Sequence, residues 1–434
     1  MTKPVLAFCG LTHLCLCSGV AAAEKGFSVI LFDPDPARVA AVSEGRLPVV
    51  EPDLDALFRR NRARLRVTHD PAELRAADLV YLAPDVPTDD HGLSDLGPID
   101  ALLRVVKPAM AKGATLVLLS QLPPGFTRGL PGRFGRFDGP LHYQVETLIF
   151  GRAMQRALEP ERFIVGCFDP AQPLPDALRD FLAAFACPIL PMRLESAELA
   201  KISINMCLVA SISVANTLAE LCEKLGADWS EISASLRLDR RIGPHAYLSP
   251  GLGLAGGNLE RDLATLVQLG ATHATDTRLV SAAIENSAHR KSWAWQTLRA
   301  RLLDRQPDAA IAVLGLAYKE NTHSTKNSPA LALIAQMPGR AIRVHDPVVP
   351  ATAAGPHAVP TIDPLDCVTG ADAVLLMTPW PAYRELDPAA LARRMRGRLL
   401  IDPYRVIDPK AAIAAGLEHV TLGVGSPASE VPPC

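Results

Sequence analysis

The sequence predicts an α/β chain: two doubly wound, Rossmann-like domains joined by a central helical domain with one long helix. Three observations predict it. An apolar strand, a glycine turn, a helical pattern and a second strand ending in an acid follow one another from Val5 to Asp33, and a strand and glycine turn start afresh at Ile311. Between them one helical pattern runs from Ser196 to Gly226. At 434 residues the chain is too long for a single core. The boundaries we expect are 1–195 for the N-terminal domain, 196–300 for the central domain and 301–434 for the C-terminal domain.

Composition narrows the class. A net charge of -2 gives no electrostatic footprint for nucleic acid or an anionic membrane, so neither is expected as a partner. Hydrophobic residues at 49% and charged residues at 21% suit an ordinary globular core, so the 38 prolines read as loop punctuation. No uninterrupted apolar window of about 18 residues appears, so no membrane span is predicted. Met1-Thr2-Lys3-Pro4 runs straight into a strand, which argues against a signal peptide and for the cytoplasm. The nine cysteines include one C-x-C pair, Cys15 and Cys17, without a second pair at zinc spacing. They read as reduced, buried thiols, and no metal site is expected.

In chain order, Val5–Cys9 is a strand closed by Gly10. A helix follows from about His13 to Lys25, and Gly26 caps it. Ser28–Phe32 is the second strand, ending in Asp33, where a dinucleotide fold holds a ribose hydroxyl. The G-x-G-x-x-G fingerprint reads Gly10-Leu11-Thr12-His13-Leu14-Cys15, so only its first glycine is present. Thr12 adds bulk beside the phosphates but brings a hydroxyl. The helix N-terminus at His13 and Leu14 still offers free N–H groups to an anion. Asp78–Pro84 and Thr115–Ser120 are further strands with turns after them.

In the long helix, Leu199, Ile202, Met206, Val209, Ser213 and Leu218 recur at spacings that one buried side would show. Lys201 and Asn205 stand four apart and share a face, where two donors can steady a developing oxyanion. Asp228-Trp229-Ser230-Glu231 opens the next helix as a capping box. Pro250–Asp262 then packs four glycines into a short loop that ends in an amide, a cation and a carboxylate. Glycines let a backbone approach a ligand, at an entropic cost an idle loop has no reason to carry. Strands recur at Ile311–Leu314, Ala341–Asp346, Ala373–Met377 and Leu399–Ile401.

These segments resemble, in order and spacing, the UDP-glucose/GDP-mannose dehydrogenase family. Glu44-Gly45-Arg46-Leu47-Pro48-Val49-Val50-Glu51-Pro52 is similar to its E-G-x-x-P-x-x-E-P, and Asp33-Pro34-Asp35 with Val39 to its D-x-D-x-x-x-V, which spans Arg38. Ser120-Gln121-Leu122-Pro123 stands for its S-T-V-P, with Gln121 at the threonine beside the nicotinamide. Glu146 falls on the first glutamate of P-E-F-L-x-E-G, and Phe150 on the second. Ala197-Glu198 with Lys201 and Asn205 matches A-E-x-x-K-x-x-x-N. Lys319, Asn321, Thr322, Ser328 and Pro329 match the C-terminal motif, where Lys326 replaces an arginine.

The resemblance implies NAD as cofactor, a nucleotide-sugar substrate and a homodimer paired through the long helix. It implies cofactor contacts at Gly10, Thr12, His13, Leu14, Asp33, Arg38, Ser120 and Gln121. It implies substrate contacts at Arg241, Tyr247, Gly251, Gly253, Gly256, Lys319 and Lys326. The implied catalytic set is Glu146, Lys201, Asn205 and Asp262, with Asn258 where the family has its nucleophilic cysteine. No cysteine lies between Cys222 and Cys367 to replace it. Family members oxidise a primary alcohol to a carboxylate through a thiohemiacetal. An amide cannot add to an aldehyde or leave as a thiolate does. Three readings stand open: a two-electron redox or redox-epimerisation step, a four-electron oxidation without the covalent intermediate, and a non-catalytic nucleotide-sugar-binding protein on this fold.

Overall fold

The structure, a computed structural model, describes residues 3–87, 89, 94–256 and 258–425. Two compact units form, residues 1–204 and 205–434.

The first unit is built on an eight-stranded sheet of order β3-β2-β1-β4-β5-β6-β7-β8. Its strands are β1 (Leu6–Cys9), β2 (Val29–Phe32), β3 (Leu65–Thr68), β4 (Leu79–Leu82), β5 (Thr115–Leu118), β6 (Leu141–Gln144), β7 (Phe163–Cys167) and β8 (Ile189–Arg193). Every pairing is parallel except β6 with β7. Strand order turns back between β1 and β4, which opens the crevice where such sheets bind ligands. The central strands are buried on both faces, which is why they read as continuous apolar runs. Helix α1 (His13–Glu24) covers one face with Leu16, Val20 and Ala23. Helix α2 (Gly97–Ala109) covers the other with Ile99, Leu102, Leu103 and Val106. Helix α3 (Phe126–Phe134) follows β5.

The second unit repeats the topology in six parallel strands, order β11-β10-β9-β12-β13-β14. These are β9 (Ile311–Leu314), β10 (Ile342–His345), β11 (Ala358–Pro360), β12 (Ala373–Leu376), β13 (Leu399–Ile401) and β14 (Glu418–Val420). Both sheets clasp their first turn alike. Leu11 N–H donates to Asp33 at the end of β2, and Leu316 N–H donates to Asp346 beyond β10.

Helix α4 (Leu194–Leu225) is the longest element, and the unit boundary falls within it. Helices α5 (Trp229–Leu238), α6 (Asn258–His273) and α7 (Arg278–Lys291) follow. The predicted stripe on α4 needs correction. Ile202 and Val209 are buried, but Leu199 and Leu218 are exposed, together with Val214, Leu221 and Leu225. The buried side uses smaller residues, Ala197, Ala215, Asn216, Ala219 and Cys222, which let neighbouring elements approach closely. By length and composition α4 is also apolar enough to cross a membrane, a candidate that a search for unbroken apolar windows passes over. One side of it packs into protein cores: Ala197 with the first sheet, Val209 with α6 and α7, Ala215 with Trp229. The thiols need a smaller correction: Cys207 is exposed and Cys187 half-buried.

Candidate active site

The cofactor-side residues gather at the carboxyl ends of β1, β2, β4 and β5. Gly10 has φ +91°, and a Cβ there would lie 3.1 Å from Pro84 Cα, so the turn needs glycine. Asp33 is buried and accepts from Leu11 N–H at 2.8 Å, Asp35 N–H at 3.0 Å and the Arg38 guanidinium at 2.9 Å. Helix α1 begins without a side-chain cap and without an acid in its first turn, so its leading amides are left for an anion.

The missing fingerprint glycines are accommodated. Thr12 Oγ1 donates to Ala83 O at 2.7 Å, which ties its bulk back to the turn after β4 and spends the hydroxyl that sequence reading offered to a phosphate. Cys15 is fully buried. The close helix–sheet approach falls instead at Gly19, where a Cβ would meet Leu31 Cδ2 at 2.6 Å. The Ser120 hydroxyl donates to Pro84 O, and Gln121 is half-buried beside it. Leu14 packs on the core beneath α1. His13 is fixed by Glu51, Nε2 to Oε1 2.8 Å, and stacks on Phe150 with ring centres 4.2 Å apart. An uncapped helix start beside a ribose-type acid fits a dinucleotide.

Glu146 follows β6. Its carboxylate accepts from Leu148 N–H at 2.6 Å. Surrounding protein pushes its pKa up to about 7; that hydrogen bond and the positive charge of Lys201 oppose the rise without cancelling it. Lys201 itself is half-buried. Glu198, one turn before it on α4, is buried and accepts from Gly125 N–H and Thr127 N–H, pinning the turn into α3. Burial raises the Glu198 pKa.

The second unit builds the glycine loop. Gly251 N–H donates to Asn216 Oδ1 at 2.8 Å, and Leu254 N–H to Ser287 Oγ at 2.7 Å. Gly253 (φ +78°) lies against α7, where a Cβ would meet Ser287 O at 2.4 Å. Gly256 N–H donates to Lys326 O at 3.0 Å, and the Asn327 amide donates to Gly256 O at 3.2 Å. Glu260 on α6 bonds to Asn327 and to Lys291. The loop is thereby stitched to the segment carrying Lys326, while the Lys319 ammonium lies 5.7 Å from the Tyr318 ring centre. Asp262 on α6 is buried, accepts from the Asn205 amide, and lies 3.6 Å from the Arg261 guanidinium. Asn258 opens α6, but its side chain lies outside the described residues, as does Gly257.

Two expected substrate contacts stand apart from this cluster. Arg241 is exposed and pairs with Asp239 two residues earlier, and Tyr247 is exposed. Sequence reading missed Asn216, Ser287, Glu260 and Asn327, which hold the loop. A signal existed for Asn216: an amide inside an apolar helical run, where burial demands a partner. In the segment Asp402-Pro403-Tyr404-Arg405 the cation is tied to another part of the unit. Arg405 bonds to Asp228 at 2.8 Å, and Tyr404 is half-buried, with the protein around its hydroxyl raising the pKa.

The first unit has a doubly wound sheet with a buried acid after β2 and an uncapped helix start, and the second has a buried Asn–Asp couple and a glycine loop; these are features of an NAD-linked dehydrogenase. Residues 5–181 match the NAD binding domain of the UDP-glucose/GDP-mannose dehydrogenase family, residues 195–288 its central domain and residues 312–409 its UDP binding domain. The chain is similar to UDP-glucose 6-dehydrogenase AglM of Haloferax volcanii, with 30% identity across 92% of this chain and 95% of that protein. It is also similar to UDP-glucose 6-dehydrogenase TuaD of Bacillus subtilis, with 27% identity across 96% and 93%. The solved UDP-glucose dehydrogenase of Pyrobaculum islandicum shares the architecture at a TM-score of 0.85 and 26% identity, across 98% of both chains. The chain belongs to the UDP-glucose/GDP-mannose dehydrogenase family, and its cofactor is NAD.

Proposed function

We propose that the protein transfers a single hydride at an alcohol carbon of a UDP- or GDP-sugar and lacks a covalent thiol step. The carrying observation is α6. Asn258, which the resemblance sets at the family's cysteine, begins it, and Asp262, one turn on, is buried and held by Asn205. Oxidation of an alcohol to an aldehyde removes one hydride and one proton. Bound NAD supplies the hydride acceptor, and the groups after β1, β2, β4 and β5 would hold it. Asp262 takes up the proton, and the Lys201 ammonium, one turn before Asn205 on α4, steadies the developing alkoxide. Asn205 gives one amide hydrogen to Asp262 and keeps its second for the substrate oxygen. The match to a UDP binding domain and the UDP-glucose relatives support UDP over GDP. The same step run in reverse reduces an aldehyde, and a transient oxidation permits epimerisation.

The test is the stoichiometry of NADH released from NAD and UDP-glucose, with the aldehyde trapped by hydroxylamine. One NADH per sugar is expected. Two NADH together with UDP-glucuronate would overturn the proposal. Calorimetric binding of both ligands with no NADH would point to a binding protein.

Glu146 favours a second reading, four-electron oxidation through an aldehyde hydrate, because a carboxylate of near-neutral pKa is a suitable base toward water. Under this second reading the group must be ionised to accept a proton. Its pKa is raised to about 7, so kcat/KM is expected to climb roughly tenfold per pH unit below that value and level off above it. The Glu146→Gln variant should lose this limb. A limb near 4.5, the ordinary carboxylate value, would remove Glu146 from the reaction.

A further inference from the structure

At the end of the first sheet opposite the cofactor groups, four segments converge on a cleft of about 790 Å³. That volume lies within the range of small-molecule sites. Arg75 reaches it from the segment before β4, Arg104 and Lys107 from the last turns of α2, Lys112 from the turn before β5, and Arg136 with Asp138 from the segment before β6. Gly10, Asp33 and Ser120 lie instead at the far, carboxyl ends of their strands.

The charge of the cleft is uncompensated. Several exposed arginines elsewhere on this unit meet carboxylates, Arg60 with Glu24, Arg66 with Glu73, Arg128 with Glu195 and Arg133 with Asp100, while Arg59, Arg62 and Arg64 stand singly along one short segment. Among the described residues, Arg75, Arg104, Lys112 and Arg136 have no such partner, and Asp138 is the only carboxylate lining the cleft. The ordinary explanation is that these cations offset helix dipoles. Lys107 does so, its ammonium bonding to Phe134 O and Gly135 O at the end of α3. Each helix end, however, is worth about half a negative charge. The ends of α2 and α3 with Asp138 thus leave about three positive charges over. Met110 and Phe134, both half-buried, add an apolar wall, with the Arg104 guanidinium 5.9 Å from the Phe134 ring centre.

We infer that this cleft is an effector site for a nucleoside polyphosphate, a ligand that pairs about three negative charges with a flat, partly apolar body. The guanidinium groups take the phosphates and the apolar wall takes the nucleoside. Because it lies across the sheet from the dinucleotide turns, its ligand binds alongside NAD and does not compete with it.

The test uses the full chain saturated with NAD and UDP, so that both established nucleotide sites are filled. N-methylanthraniloyl-GTP is then titrated by fluorescence anisotropy, beside inorganic tripolyphosphate and vesicles of anionic phospholipid. One further site per chain is expected for the nucleotide, with tripolyphosphate at least tenfold weaker. Arg104→Glu combined with Lys112→Glu should weaken it at least thirtyfold and leave NAD affinity within twofold. Arg75→Gln combined with Arg136→Gln provides a milder pair if the reversal fails to fold. No binding above the filled sites, equal binding by the variants, equal affinity for tripolyphosphate, or a preference for the vesicles would each overturn the inference.

Discussion

Replacing Lys201 with alanine is expected to lower kcat by about 1,000-fold with little change in NAD affinity. The ammonium is half-buried on α4, one turn before Asn205, and its charge opposes the burial-driven rise of the Glu146 pKa. Its removal should therefore have two signatures. The chemical step loses the donor that steadies the alkoxide, and the pH limb of kcat/KM moves above 7, because the Glu146 carboxylate loses a cation that favours ionisation. Lys201→Arg should recover the limb better than the rate, since a planar guanidinium restores charge but not the shape of a point donor. A surface lysine would change neither. Loss of less than tenfold in kcat, measured under saturating NAD and UDP-sugar, would return Lys201 to the surface-charge class.

The second large effect is expected in the glycine loop. Gly253→Ala places a Cβ 2.4 Å from Ser287 O and 2.9 Å from Lys291 Cγ, at a φ of +78° that alanine resists. The Lys291 side chain can swing aside, but the Ser287 carbonyl is backbone of α7 and cannot. A loss of about 3 kcal/mol or more is expected in denaturant unfolding, followed by the second unit's signal. Catalysis should fall further, because moving α7 strains the Leu254–Ser287 hydrogen bond that sets the loop. Gly251→Ala is the internal control. It has open space around it and an unexceptional φ, and its bond to Asn216 uses only the main chain. It should cost less than about 0.5 kcal/mol. Equal costs for the two would show that the loop is held loosely.

Much of this was legible from the chain itself. Strand, glycine turn and terminal acid announced both sheets, because a buried parallel strand must be apolar on both faces and a tight turn needs φ above zero. Asp33 and Asp262 were named before their partners were visible. What stayed hidden depended on contacts distant in sequence. That Thr12 would spend its hydroxyl on Ala83 follows from the position of β4, 71 residues on. That Gly19 would take over the close approach to β2 follows from the packing angle of α1. The α4 stripe misled because period alone cannot tell a leucine facing a core from one facing outward. The small residues on the same helix marked the buried side.

The two sheets start from the same plan, and the donors gathered on one acid separate their uses. Asp33 keeps room beside its two backbone donors and one arginine. Asp346 accepts from Leu316, Ala317, Val348 and Val349 N–H and also from Trp380 Nε1, five donors on one carboxylate. A carboxylate has about four lone-pair sites, so nothing is left there for a sugar diol. The duplicate cradle is locked from inside by the protein's own hydrogen bonds. A chain with two lobes of one topology thereby keeps the dinucleotide to the first, and the second is free to serve a different nucleotide without the first one's cofactor competing for it.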